Sequence, residues 1–99
     1  RGYDLRARKG AQQRLVEVKG VWASAAAQGV RMTGNEVLIA TQHRSDYWLY
    51  VVDQCQHGGT LFGVYPDPIG TLGSAMTGEA VIKVPGKALK DNAKEASTT

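Results

Sequence analysis

The run Tyr47-Trp48-Leu49-Tyr50-Val51-Val52 constrains this chain more than any other segment. It is aromatic, β-branched or leucine throughout, with none of the polar alternation of a half-exposed strand, and so it reads as a strand covered on both faces. A central strand is therefore expected over residues 46–53. Such a strand requires neighbours in its sheet and layers packed against it. With 99 residues, the chain has material for one core of this kind and not for two.

The flanking segments supply the partners. Residues 3–8 read as a short strand, Lys9-Gly10-Ala11-Gln12 as a turn, and Arg14 to Gly20 as a second strand in which Leu15-Val16-Glu17-Val18-Lys19 alternates. The alanine-rich stretch from Val21 to Gly29 lacks an amphipathic stripe and reads as a loop with a helical turn. Gly29 to Met32 is a short strand, and Thr33-Gly34-Asn35-Glu36 is a capping box, which predicts a helix over 33–43. Gln56-His57-Gly58-Gly59 is turn chemistry. It joins the central strand to another at 60–65, which Pro66-Asp67-Pro68 ends, and this makes a second hairpin. Residues 69–77 read as loop, 79–84 as a last strand and 87–96 as an exposed helix or fraying tail. The fold class is α/β or α+β with strands dominating: a single domain over 1–84, opened by the hairpin 1–20, and a C-terminal helix or tail over 85–99.

The net charge of +3 is unevenly placed. In the first 20 residues Arg1, Arg6, Arg8, Lys9, Arg14 and Lys19 stand against Asp4 and Glu17, leaving +4, while the other 79 residues, with six cations and seven carboxylates, sum to −1. A concentrated basic patch is the electrostatic footprint of a polyanion partner, although a solvated hairpin also carries such charges. No apolar stretch approaches the roughly 20 residues needed to cross a bilayer as a helix. A single cysteine excludes an internal disulfide framework and fits a reducing compartment such as the cytoplasm. The opening Arg1-Gly2-Tyr3-Asp4, with neither an initiator Met nor an apolar leader, is what a piece of a longer protein would show.

The basic hairpin also holds the chemistry. A turn centred between Gly10 and Ala11 sets Asp4 opposite Glu17, and the two-residue period of strands puts Lys19 on the Glu17 face, with Val16 and Val18 turned to the core. Cross-strand partners have Cβ atoms about 4.5–5.5 Å apart, and like charges so placed destabilise a sheet unless something neutralises them. A divalent cation would do so. Mg²⁺ takes one or two carboxylates and keeps several waters, and an ammonium beside it can orient an attacking water, the set that phosphodiester hydrolysis needs. In the plainer alternative Glu17 and Lys19 are the solvent face of an amphipathic strand and Asp4 pairs with Arg14 or Arg6. A slip of one residue in register would also move Asp4 to the other face.

Other constellations are weaker. His43, Cys55 and His57 lack the fourth ligand of a zinc site, and nothing marks an orienting group or oxyanion hole for Cys55 as a nucleophile. Tyr47, Trp48 and Tyr50 could stack bases, with core packing the plainer role for at least two of them. Gly58-Gly59 lacks the Lys-Ser/Thr of a phosphate-binding loop.

Gly2-Tyr3-Asp4-Leu5, then Arg14-Leu15-Val16-Glu17-Val18-Lys19-Gly20, then Thr33-Gly34-Asn35-Glu36 with Ala40, and then Tyr47 to Val52 together resemble the DUF3883 family over residues 2–70. That family is similar to the Mrr-like branch of the PD-(D/E)xK restriction-endonuclease superfamily. The resemblance implies a mixed β-sheet flanked by helices, preceded in the superfamily by a helix that this chain begins too late to contain. It implies a Mg²⁺-dependent DNA endonuclease, with Mn²⁺ as a substitute, inside a larger restriction or phage-defence protein that carries a helicase or other ATPase module. Asp4, Glu17 and the Val18 carbonyl would bind the metal, Lys19 would position the nucleophilic water, and Arg6, Arg8, Lys9 and Arg14 would track the DNA backbone. Asn35 and Glu36 match a pair in the family's pattern, with helix capping as the plain role of Glu36. The alternative is a catalytically silent module of the same fold that binds DNA or docks to a protein. A β-rich interaction domain with solvated Asp4, Glu17 and Lys19 is the third reading.

Overall fold

Strand β1 (Leu5–Lys9) folds back on β2 (Gln12–Gly20) as an antiparallel hairpin. Gly10 turns the chain at a φ of 61°, where a side chain would be strained. The computed structural model describes residues 2–10 and 12–94, with backbone alone at Lys9 and Gln12. The register is the expected one, Leu5 against Val16 and Arg6 against Leu15. The next strand of the same sheet lies parallel to β2, and parallel neighbours need a crossover. Residues 21–46 supply it: α1 (Ala25–Gln28), β3 (Val30–Thr33) and α2 (Gly34–His43) lead into β4 (Tyr47–Asp53). Strand β5 (Thr60–Pro66) closes the second hairpin antiparallel to β4, giving a mixed four-stranded sheet in the order β1-β2-β4-β5. After α3 (Pro68–Leu72), strand β6 (Val81–Val84) pairs with β3 in a second sheet, and α4 (Gly86–Asn92) follows.

Local chemistry starts each helix. The capping box of α2 is complete: Thr33 Oγ1 accepts from the Glu36 amide at 3.1 Å and Glu36 Oε1 from the Thr33 amide at 2.8 Å. Buried Asp53 accepts from the first amide of α1, Ala25 N, at 3.0 Å. Residues 69–77, expected as loop, instead contain α3 and a 3₁₀ turn at Gly73–Ala75. The missed signal was Asp67-Pro68, an N-cap followed by a proline in the first turn, with Asp67 Oδ1 accepting from Gly70 N at 3.2 Å.

The core lies on one face of the large sheet. Leu15, Tyr47, Leu49, Val51 and Tyr65 meet Ala25 of α1, Ala40 of α2, Leu72 of α3, Ala88 and Leu89 of α4, and Met32 and Val84 of the small sheet. Each of the larger fully buried side chains contributes about 1.5–3 kcal/mol by leaving water. Two expectations change here. Strand β4 is fully covered only on the side of Tyr47, Leu49, Val51 and Asp53, while Trp48, Tyr50 and Val52 on the reverse side are half-buried. In β2 the core face is that of Leu15 and Glu17; Val16 is buried on the reverse side, but Val18 is exposed there. Alternation is preserved and its sense is inverted, because two buried neighbours, Tyr47 and Leu49, hold Leu15 and Glu17 against the helical layer. Helix α4 is likewise a core element: Leu89 is fully buried and its carbonyl accepts the Tyr65 hydroxyl at 2.6 Å. Residues 95–99 of the expected tail lie outside the described residues.

Candidate active site

The end of β2, the chain before β1 and the start of α2 meet around Glu17. The regular ladder of the first hairpin stops at Leu5 and Val16. One residue earlier Asp4 straddles Glu17 along the strand: its amide donates to the Val16 carbonyl at 2.8 Å, and its Oδ2 accepts from the Val18 amide at 2.7 Å. Asp4 therefore adjoins Glu17 as the register requires, with its carboxylate turned to the edge of β2 rather than standing upright on the shared face. Gly2 makes that approach possible. Its φ is 83°, and a Cβ there would run into Ile39 and the Asn35 carbonyl of α2. Tyr47 Oη donates to the Gly2 carbonyl at 2.6 Å and ties the same segment to β4.

Lys19 sits two residues beyond Glu17 on the same face. Its Nζ lies 3.6 Å from Glu17 Oε2 and donates to Glu36 Oε1 at 2.8 Å. Glu36 matches, with Asn35, a pair in the family's pattern, and its plain role is to cap α2. One of its oxygens does that and also holds the lysine, and its carboxyl shares a hydrogen bond with Glu17. Reading along the chain could not place Glu36 here, since nothing in a capping box says which strand its helix start will face. Asn35 lies beside the Gly2 backbone, so both halves of the Asn35-Glu36 pair support the N-terminal segment and the carboxylates.

Two carboxylates, Glu17 and Glu36, thus flank one ammonium with Asp4 close enough to act on Glu17, and the protonation states follow. Burial, then the charges of Glu36 and Asp4, push Glu17 up to about 7, with Lys19 opposing. Glu36 is also penalised by burial, but the bonds from Lys19 and the Thr33 amide hold its carboxyl below the usual range. Burial and the nearby Glu17, Glu36 and Asp4 charges raise the Tyr47 phenol, which stays protonated. Glu17, only 4% exposed, is thus a carboxyl whose ionised form is disfavoured chiefly by burial. Among the described residues no group of three or more His, Cys, Asp or Glu side chains is disposed to hold a metal ion. A hard cation needs fewer, one or two carboxylates with waters and a carbonyl, and Asp4, Glu17 and the Val18 carbonyl are donors of that kind.

The basic residues divide between the two faces. Arg6 and Arg8 stand opposite Leu15 and Gln13 on the Glu17 side of the sheet, and Arg6 donates to the Tyr3 hydroxyl at 3.1 Å. Arg14 is on the reverse side, its guanidinium 3.7 Å from the ring centre of Trp48 and donating to the Tyr50 hydroxyl at 2.8 Å. The side chain of Lys9 lies outside the described residues. Of the aromatics weighed for base stacking, Tyr47 is fully buried and Trp48 and Tyr50 are engaged by Arg14. His43 ends α2 and the Cys55–His57 turn follows β4, so these residues sit at opposite ends of that strand.

No helix among the described residues is long and apolar enough to cross a membrane. No curated protein and no solved structure matches this chain. A family model does match over residues 1–64, the span that holds Asp4, Glu17, Lys19 and Glu36, and the chain belongs to that family, described as Protein NO VEIN, C-terminal.

Proposed function

We propose that this chain is a metal-dependent nuclease module that hydrolyses DNA phosphodiesters, of the PD-(D/E)xK type that its DUF3883-like motifs imply. The observation that supports the reading best is buried Glu17 with Asp4 beside it and the Lys19 ammonium held between it and Glu36. Mg²⁺ or Mn²⁺ held by Asp4, Glu17 and the Val18 carbonyl would supply electrostatic stabilisation of the phosphoryl oxygens and a more acidic water. The chain's own groups do the rest. Glu17 would hold such a cation as its ionised carboxylate, and Lys19, anchored by Glu36, offers its remaining N–H donors to a water or phosphate oxygen. Arg6 and Arg8, on the same side, attract the DNA backbone. Within a larger restriction or defence protein, a helicase or other ATPase module would bring DNA to this site.

Two measurements test the reading. Plasmid nicking with Mg²⁺ or Mn²⁺ is expected from the wild type and lost in Glu17→Ala and Lys19→Ala; undiminished nicking in Glu17→Ala would sink the proposal. In a thermal melt near neutral pH, Mn²⁺ should raise Tm for the wild type and not for Glu17→Gln, a readout independent of turnover. DNA binding with a steep salt dependence but neither cleavage nor metal-induced stabilisation would instead establish the silent, DNA-binding form of the fold.

A further inference from the structure

Beside the carboxylate cluster opens a cleft of about 590 Å³ whose walls come from the end of β2, the turn after it, the end of α1, β3 and β6. Lys19 forms one end and is shared with the site described above. The charged residues lining the cleft are Lys19, Arg31 and Lys83, with no carboxylate among them. Arg31 and Lys83 are direct cross-strand partners in the β3–β6 pair. Like charges so placed destabilise a two-stranded sheet unless an anion lies between them. Neither side chain makes an ion pair with a described residue. At the rim stands Trp22, 68% exposed, the most exposed of the large hydrophobic side chains. An indole left in water beside paired cations is the combination that binds a nucleotide, with the ring for a base and the cations for its phosphate.

We propose that this cleft binds an unpaired stretch of nucleic acid, with a phosphate between Arg31 and Lys83 and a base stacked on Trp22, and leads the adjoining phosphodiester towards Lys19. The inference rests on the nucleic-acid partner proposed above and adds where the strand runs and in what form. A base can reach the indole face only when it is unstacked from its neighbours, so the cleft selects single strands over duplex.

The test measures binding alone. Fluorescence anisotropy of a labelled oligodeoxynucleotide, single-stranded or annealed to its complement, is recorded in EDTA so that cleavage plays no part. The single strand should bind more tightly than the duplex. Trp22→Ala should weaken single-strand binding about five- to a hundredfold, and Trp22→Phe, which keeps a ring, should restore most of it. Arg31→Ala and Lys83→Ala should each lower the slope of log affinity against log salt by about 0.7, while Lys90→Ala, outside the cleft, should not weaken binding through loss of a base contact. Circular dichroism of each variant establishes that it is folded, which the exposure of Trp22, Arg31 and Lys83 favours. Wild-type affinity in folded Trp22→Ala, or displacement of the oligonucleotide by polyglutamate at equal charge, overturns the proposal. Loss of nicking with Trp22-dependent binding intact would count against the catalytic reading alone, and nicking with Trp22-independent binding against the cleft alone.

Discussion

Burial of Glu17 between β2 and α2 couples its proton to folding. In the unfolded chain it ionises near 4.5, and in the fold near 7. Between those values the folded state holds more protons than the unfolded one, so this residue's contribution to stability falls as pH rises from about 4.5 to about 7 and is level above. Glu36 acts in the other direction: its lowered pKa contributes stability above the ordinary carboxylate range that is lost as pH falls through it. Urea denaturation should therefore show Glu17→Gln gaining on the wild type, on the order of 2 kcal/mol, between about pH 5 and about pH 8. A pH-independent difference between the two proteins would contradict the burial of the Glu17 carboxyl beside Glu36. At this scale much of the site was legible: Asp4, Glu17 and Lys19 follow from the hairpin register and the strand period. Glu36 and Gly2 did not, because their roles depend on α2 lying across the start of the chain. That contact joins residues far apart in sequence, and no local pattern encodes it.

At the scale of elements, the first turn of α2 has two tasks. Its capping box satisfies the free amides of the helix, and the same glutamate carries the bridge to β2 through Lys19. Thr33→Ala should cost about 1 kcal/mol in chemical denaturation and raise hydrogen exchange in the first turn of α2, and Thr33→Ser should recover most of both. If Thr33→Ala leaves stability and exchange unchanged, helix packing alone holds the glutamate in place. The capping box itself was readable because it is a pattern of four consecutive residues. Helix α3 was equally local, with Asp67 and Pro68 at its start, and went unread because those residues also end β5. Residues 87–96 read as an exposed helix or a tail, whereas 86–92 form a helix that packs into the core. Its two buried apolar side chains, Ala88 and Leu89, are too few to announce a core face before Tyr65 and α1 are known to lie beneath them.

At the scale of the whole molecule, the large sheet is covered by helices on one side, and this decides which of the basic residues can share a surface with the site. Arg14 belongs to the reverse side with Trp48 and Tyr50. Arg14→Ala should lower stability by about 1 kcal/mol and leave the salt dependence of duplex binding unchanged, whereas Arg6→Ala and Arg8→Ala should each reduce that slope by about 0.9. An equal change in all three variants would mean that DNA wraps both sides of the hairpin edge. Composition and periodicity by themselves determined that the chain builds one small mixed α/β core, that its first hairpin concentrates the positive charge, and that Asp4, Glu17 and Lys19 fall together. These are consequences of turn position, strand period and capping chemistry, all of which act over a few residues. Only the tertiary structure decided that the Glu17 face is the inner one, that Glu36 completes the cluster, and that Trp22, Arg31 and Lys83 gather beside it. Each of those outcomes follows from which side of the sheet the crossover took its helices to, and both sides offered apolar surface enough to receive them.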